Sequence, residues 1–179
     1  MDPDRPLVRL AKNGNKAAFG KLARRYRDSV LTLAFDFLKD FESAKDVAQD
    51  VFMNAFKHIG DFEEKSRFSS WLYRITVNTC LDARKSNSRR RKFLLSKKGI
   101  SDSEHKIDES IQSNGFDEIL SKELNKLSHQ ERAAIVLRYF HDKSVREIAE
   151  VLDCTESTVR SHLYRALQKL DKSYRRRKS

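Results

Sequence analysis

Apolar residues recur at steps of three and four along most of the chain, the spacing of one face of an α-helix. Between Leu7 and Leu38 the pattern breaks once, near Asn13-Gly14, then continues as the stripe Leu22, Tyr26, Val30, Leu33, Phe37. A second stripe, Ala44, Val47, Ala48, Val51, Phe52, Ala55, Phe56, Ile59, predicts a helix with Ser43 as N-cap and Gly60 as stop. A third helix is expected over about 69–86, with Trp71, Leu72 and Ile75 facing inward. Past residue 116 the pattern returns through Ile119, Leu120, Leu124 and Leu127. Ser128 with Glu131, and Ser144 with Glu147, have the spacing of capping boxes. They open a helix through Phe140 and a short one carrying Val145, Ile148, Ala149 and Leu152. Val159, Leu163, Ala166, Leu167 and Leu170 define a last helix.

Alternating Val/Ile/Thr runs that mark strands are missing, and Gly (5) and Pro (2) are scarce among the 179 residues, so an all-α fold follows. Hydrophobic residues make up 39% and charged residues 35%, proportions that suit two small helical bundles better than one thick core. The expected domains are residues 1–95 and 117–179. Between them, 96–116 reads as a flexible acidic linker, too polar to offset its ordering entropy.

Charge sharpens this division. The formal net charge is +11, concentrated in two basic blocks, 1–98 and 128–179, that flank the acidic connector. Residues 84–98 alone carry eight Lys/Arg and no acid. Basic blocks imply a polyanion partner, although some serve only solubility.

The helices over 145–152 and beyond 155, joined by a tight turn, form a helix-turn-helix. Small Ala149 suits a close crossing, and Asp153 tolerates the left-handed backbone a tight turn requires. With 159, 163, 166 and 170 buried, the opposite face presents Glu156, Ser157, Arg160, Ser161, Tyr164 and Arg165. Such side chains can read base edges in a major groove, Arg by two hydrogen bonds to guanine. The plainer reading is a helical hairpin with solvated charges.

Two features of the first domain narrow the function. The outward face of the second helix holds Asp46, Gln49, Asp50 and Asn54, an acidic and amide surface in a basic domain. It would repel nucleic acid and suits a protein partner; otherwise it is a solvated face. The stretch from Asp61 to Ile75 interleaves aromatics with Arg and Ser, as a single-strand binder needs. Each base–aromatic stack contributes roughly 1–3 kcal/mol. Phe68 and Trp71 suit the core better than an open platform, whereas Tyr73 suits either place.

The segments Ala44-Lys-Asp-Val-Ala-Gln-Asp-Val-Phe52 and Phe68-Ser-Ser-Trp-Leu-Tyr-Arg-Ile75, with Asn78, Asp82 and Arg84, resemble region 2 of extracytoplasmic-function sigma factors, group 4 of the bacterial sigma-70 family. Leu127-Ser-His-Gln-Glu-Arg132, Leu137-Arg138, Glu147-Ile-Ala149 and Thr158-Val-Arg-Ser-His-Leu-Tyr-Arg-Ala166 resemble region 4. The resemblance implies a transcription initiation factor that brings core RNA polymerase to promoter DNA and helps open it. It implies that Asp46, Gln49, Asp50 and Phe52 dock on the polymerase clamp helices. Phe62, Arg67, Phe68, Ser69, Tyr73, Arg74, Asn78 and Arg84 would hold the single-stranded −10 element. Arg138, Arg160, Ser161 and Arg165, with Glu156, Ser157 and Tyr164 beside them, would contact the −35 duplex. The linker acids Asp102, Glu104, Asp108 and Glu109 would run toward the polymerase cleft, and an anti-sigma factor would be the regulator. Thr155-Glu156-Ser157 departs from the family's frequent Pro-x-Gly, so the start of the recognition helix would read different bases.

No phosphate-binding Gly loop, metalloprotease motif or nucleophile triad is present, and His58, His105, His129, His141 and His162 are scattered. No enzyme, cofactor or metal is expected. Cys80 and Cys154 lack a C-x-x-C spacing and read as buried reduced thiols. No signal peptide or membrane span is apparent, so a cytoplasmic protein is expected. The competing reading is a free-standing helix-turn-helix regulator with an N-terminal sensor or dimerisation domain, which would bind duplex without polymerase.

Overall fold

The computed structural model describes residues 2–98 and 122–178; among these there are helices and no strand. The front bundle consists of α1 (Arg5–Lys12), α2 (Lys16–Leu38), α3 (Phe41–His58) and α4 (Phe68–Lys98), with a 3₁₀ turn at Ile59–Asp61. The rear bundle consists of α5 (His129–Ile135), continued as a π-helical segment Val136–Phe140, then α6 (Val145–Leu152) and α7 (Glu156–Lys178). The acidic connector, with Asp102, Glu104, Asp108 and Glu109, lies outside the described residues.

Gly14 breaks the first apolar run at φ +86, a left-handed backbone that glycine enters without a Cβ clash. Asn15 then caps α2, its Oδ1 accepting from Ala18 N at 3.0 Å. The stripe read on α2 is the core stripe: Leu22, Val30, Leu33 and Phe37 are buried, against Val47, Val51 and Ala55 of α3 and Leu72 and Val77 of α4. Fully burying a Leu or Phe of this kind contributes roughly 1.5–3 kcal/mol.

Four boundaries differ from the sequence reading. The N-cap of α3 is Asp40, which accepts from Ser43 N at 2.8 Å, so the helix starts earlier than a Ser43 cap would place it. Gly60 does not terminate in coil; it sits inside the 3₁₀ turn. α4 continues to Lys98, well past residue 86, because Lys and Arg are good helix formers and cations suit a helix C-terminus. The helix expected through Phe140 changes to π geometry at Val136.

Both capping boxes form. Ser128 Oγ accepts from Glu131 N, and Glu131 Oε2 accepts from Ser128 N at 2.9 Å. Ser144 and Glu147 repeat the arrangement, and the hydrogen bonds from Ser144 hold the Glu147 carboxyl below its usual range. Asp153 closes α6 in the left-handed region at φ 53, as the turn requires.

The two bundles do not stand apart. One continuous apolar cluster runs from the front core into Ala133, Ala134, Val136, Leu137, Ile148 and Val159. A small separate cluster, Leu124, Leu127, Ile135 and Ala166, closes the far side of the rear bundle.

Candidate nucleic-acid and protein interfaces

Between α2 and α3 lies an open, mainly apolar groove of about 680 Å³. Leu31, Ala48 and Phe52 floor it, and Arg24, Arg27 and Lys45 rim it. Met53 stands 61% exposed at its edge, with Phe41 and Phe56 also open to solvent. Of the docking residues read from sequence, Gln49 and Phe52 line this groove, while Asp46 and Asp50 are exposed on the same helix but outside it. The face is therefore more apolar than expected. Phe56, a member of the predicted apolar stripe, is exposed and meets Phe19 edge-on, with ring centroids 5.1 Å apart. An apolar stripe on α3 too wide for one core contact was the available signal.

The loop from Phe62 to Arg67 and the start of α4 form a second surface. Phe62 and Phe68 are buried, packed at a tilt against Trp71 with centroids 5.0 and 5.7 Å away. Phe68 thus takes the core place the sequence favoured, while Phe62, expected at the −10 strand, is also buried: the rings pack against one another and shape the loop from beneath. Arg67 is exposed, Ser69 half-buried and Asn78 exposed. Cys80 is fully buried, and burial raises its thiol to about 12, which makes it inert. Cys154 is only half-buried, less than expected, and both thiols are free.

The third surface is the outer face of α7. Thr155 Oγ1 accepts from Thr158 N and starts the helix. Arg160 is exposed and paired with Glu156 at 2.8 Å; Ser161 donates to Ser157 O; Tyr164, 64% exposed, accepts from Gln168. Arg165 is exposed beside them. The six residues read from sequence thus share one solvent-facing side, over Val159 and Ala166 in the core. Arg138 lies in the π segment, exposed, and donates to Lys143 O at 3.0 Å.

Residues 22–90 match the family model for sigma-70 region 2, and residues 117–170 match the model for sigma-70 region 4. The extracytoplasmic-function (ECF) RNA polymerase sigma-E factor of Haemophilus influenzae is 32% identical, over 94% of this chain and 93% of its own length. The chain belongs to the sigma-70 family, in its extracytoplasmic-function group. Among solved structures, CnrH, in complex with the cytosolic domain of CnrY, is 27% identical with a TM-score of 0.68 over 96% of both chains. The sigma factor RpoE of Bartonella quintana, in complex with the anti-sigma factor NepR, shares the fold: TM-score 0.61, 24% identity, 86% of this chain and 94% of that one.

In this sigma factor the two bundles meet over α4. Ser70 Oγ donates to Glu150 Oε2 at 2.9 Å, and Arg74 Nη2 donates to Glu150 O at 2.6 Å and pairs with Asp153 at 3.2 Å. Tyr73 is 7% exposed, with His141 at its edge and the Lys143 ammonium over its ring. Arg84 and Arg132 both donate to Asn125 Oδ1, at 2.9 and 2.7 Å, and Arg132 reaches the Phe37 carbonyl. His141 bonds Asp36 at 3.1 Å. Burial works to raise the Asp36 carboxyl, but hydrogen bonds with His141 and Lys39 outweigh it and hold it below its usual range. Arg132 is 1% exposed with its Nε unpartnered, and burial, with Arg84 nearby, pulls it down to about 9. This contact includes a cost of its own: two guanidiniums share one amide oxygen, and among the described residues no carboxylate bonds Arg132. Sequence reasoning missed this contact because its partners across the two bundles lie 41 to 105 residues apart.

Proposed function

We propose that this transcription initiation factor divides its work among the three surfaces. The α2–α3 groove, with Gln49 and Phe52 in it and Asp46 and Asp50 beside it, docks on core RNA polymerase. The 62–69 loop with Tyr73, Arg74, Asn78 and Arg84 holds the non-template strand at −10. The outer face of α7, with Arg138, reads −35 duplex. The observation that supports this reading most is the pairing of an open apolar groove in the region 2 segment with a polar helix-turn-helix face in the region 4 segment. An apolar groove suits a protein partner, whereas the Arg- and Ser-bearing face suits base edges.

The factor works in the cytoplasm, where polymerase is, and acts without a catalytic step. No helix among the described residues is long and apolar enough to cross a membrane. An anti-sigma factor, as NepR is for RpoE, would compete for these surfaces.

The test is to map transcript 5′ ends made by core polymerase with and without the protein, and to measure core binding of Met53→Glu. New start sites that require the protein are expected, with core affinity reduced by about ten-fold or more in the variant, the effect of losing an interface anchor. Start sites unchanged by the protein would end the reading, and full core affinity in Met53→Glu would remove the groove from it.

A further inference from the structure

α1 precedes the segment matched to region 2, which begins at residue 22. Yet its polar side chains are spent on the loop assigned above to the −10 strand. Its start is fixed: the buried Asp4 carboxylate accepts from Arg25 and from the Tyr26 hydroxyl, both on α2. Burial and this carboxylate raise the Tyr26 pKa, so the hydroxyl keeps its proton and stays a donor.

From that fixed base, α1 reaches the loop twice. Lys12 Nζ donates to Phe62 O at 2.5 Å. Arg5 Nε donates to Glu64 Oε2 at 3.1 Å, with Arg9 Nε 3.8 Å from the same oxygen. Glu64 has φ 57, a left-handed conformation that disfavours a residue bearing a Cβ. The contacts on either side of this residue, at Phe62 O and at its own carboxylate, oppose that preference. Between α1 and the loop is a cavity of about 230 Å³, with Asp2, Arg5 and Val8 on one wall and Phe62, Ser66 and Arg67 on the other.

We infer that α1 is part of the −10 reader: Lys12, Arg5 and Glu64 are positioning residues that set the shape of the 62–67 loop, and the N-terminal segment forms the second wall of the cavity into which that loop faces. The inference rests on the assignment of this loop to the −10 strand. It follows that discrimination among bases at −10 depends on side chains outside the region 2 match. Lys12 is far in sequence from the loop, but its bond goes to a backbone carbonyl, so losing it frees the loop without removing any group that touches DNA.

The test uses the full chain with core polymerase on a template library randomised through the −10 and −35 elements, read by 5′-end sequencing. Lys12→Met is compared with Lys12→Arg, which keeps a donor, and with Arg5→Gln, which breaks the second anchor. Lys12→Met and Arg5→Gln should flatten −10 base preference by about ten-fold at one or two adjacent positions, the scale of one lost base discrimination. The −35 preference and core affinity should be unchanged, and Lys12→Arg should keep most of the −10 preference. A uniform fall in transcription with an unaltered −10 profile would mean that α1 serves folding alone, and would overturn the inference. A wild-type −10 preference retained in full by both disruptive variants would also overturn it, while leaving the underlying assignment standing. A wild-type chain that starts no transcripts would overturn both.

Discussion

The proposed −35 face on α7 and the proposed −10 face on α4 use similar side chains, but the first is open and the second is largely covered, with Asn78 its exposed member. Arg160 and Tyr164 stand 63% and 64% exposed, and their hydrogen bonds are to neighbours on the same helix. Tyr73, by contrast, is 7% exposed, and Arg74 is held by Glu150 and Asp153 of the other bundle. The difference is between a proposed surface for intact duplex, which stands open, and a proposed surface for unpaired strand, which the other bundle covers in this structure and would free only if the bundles separated. Arg132 gives the covered state a built-in weakness, since a buried guanidinium without a carboxylate is costly. Binding that favours the separated arrangement therefore has less to overcome.

The largest effect should come at the open face. Arg160→Ala should cost about 1–3 kcal/mol of promoter use if it pairs with a base. Transcription from templates altered singly at −35 should show relaxed choice at one position, and an unchanged −35 profile would remove Arg160 from the reader. A smaller effect of opposite sign is expected at the covered face. The double variant Glu150→Ala/Asp153→Gly removes the Ser70 and Asp153 contacts, while Gly keeps the left-handed turn. The free protein should then bind a single-stranded −10 oligonucleotide more tightly by about 1 kcal/mol, discounted for the exposure of Asp153. Equal affinity before and after would show that the contact covers nothing functional.

The smallest effect is on pH. Asp36 is held below its ordinary carboxylate value, so its bond with His141 contributes fully above that value and is lost as pH falls through the depressed one. Scattering or intramolecular distance measurements should find the bundles together at neutral pH and separating only as pH falls below the ordinary carboxylate range. Asp36→Asn should abolish that dependence. Separation that is equally steep in the variant would assign it to other carboxylates.

Much of this architecture was legible before any coordinates. The two capping boxes, the break at Gly14, the left-handed Asp153 and the outward side of α7 all depend on residues within a few positions of each other. Local hydrogen bonding and helical period decide such features. The Asp40 cap was missed because Asp40 and Ser43 are both good cap residues three apart, and the structure uses both, one as acceptor and one as donor. The π segment at Val136–Phe140 has no period that distinguishes it from α-helix. The core place of Phe68 was legible, but the burial of Phe62 was not, because composition cannot show whether a ring faces solvent or its neighbours.

The sequence by itself determined the helices, most of their ends and the polarity of each face, because those follow from interactions along one turn or one cap. Tertiary structure alone decided that the groove between α2 and α3 stays open, that α1 anchors a distant loop, and that the proposed −10 face is partly covered by the other bundle. Those outcomes depend on side chains of different helices, up to 105 residues apart, meeting in space, and no periodicity along the chain encodes which of several compatible faces will be the ones to meet.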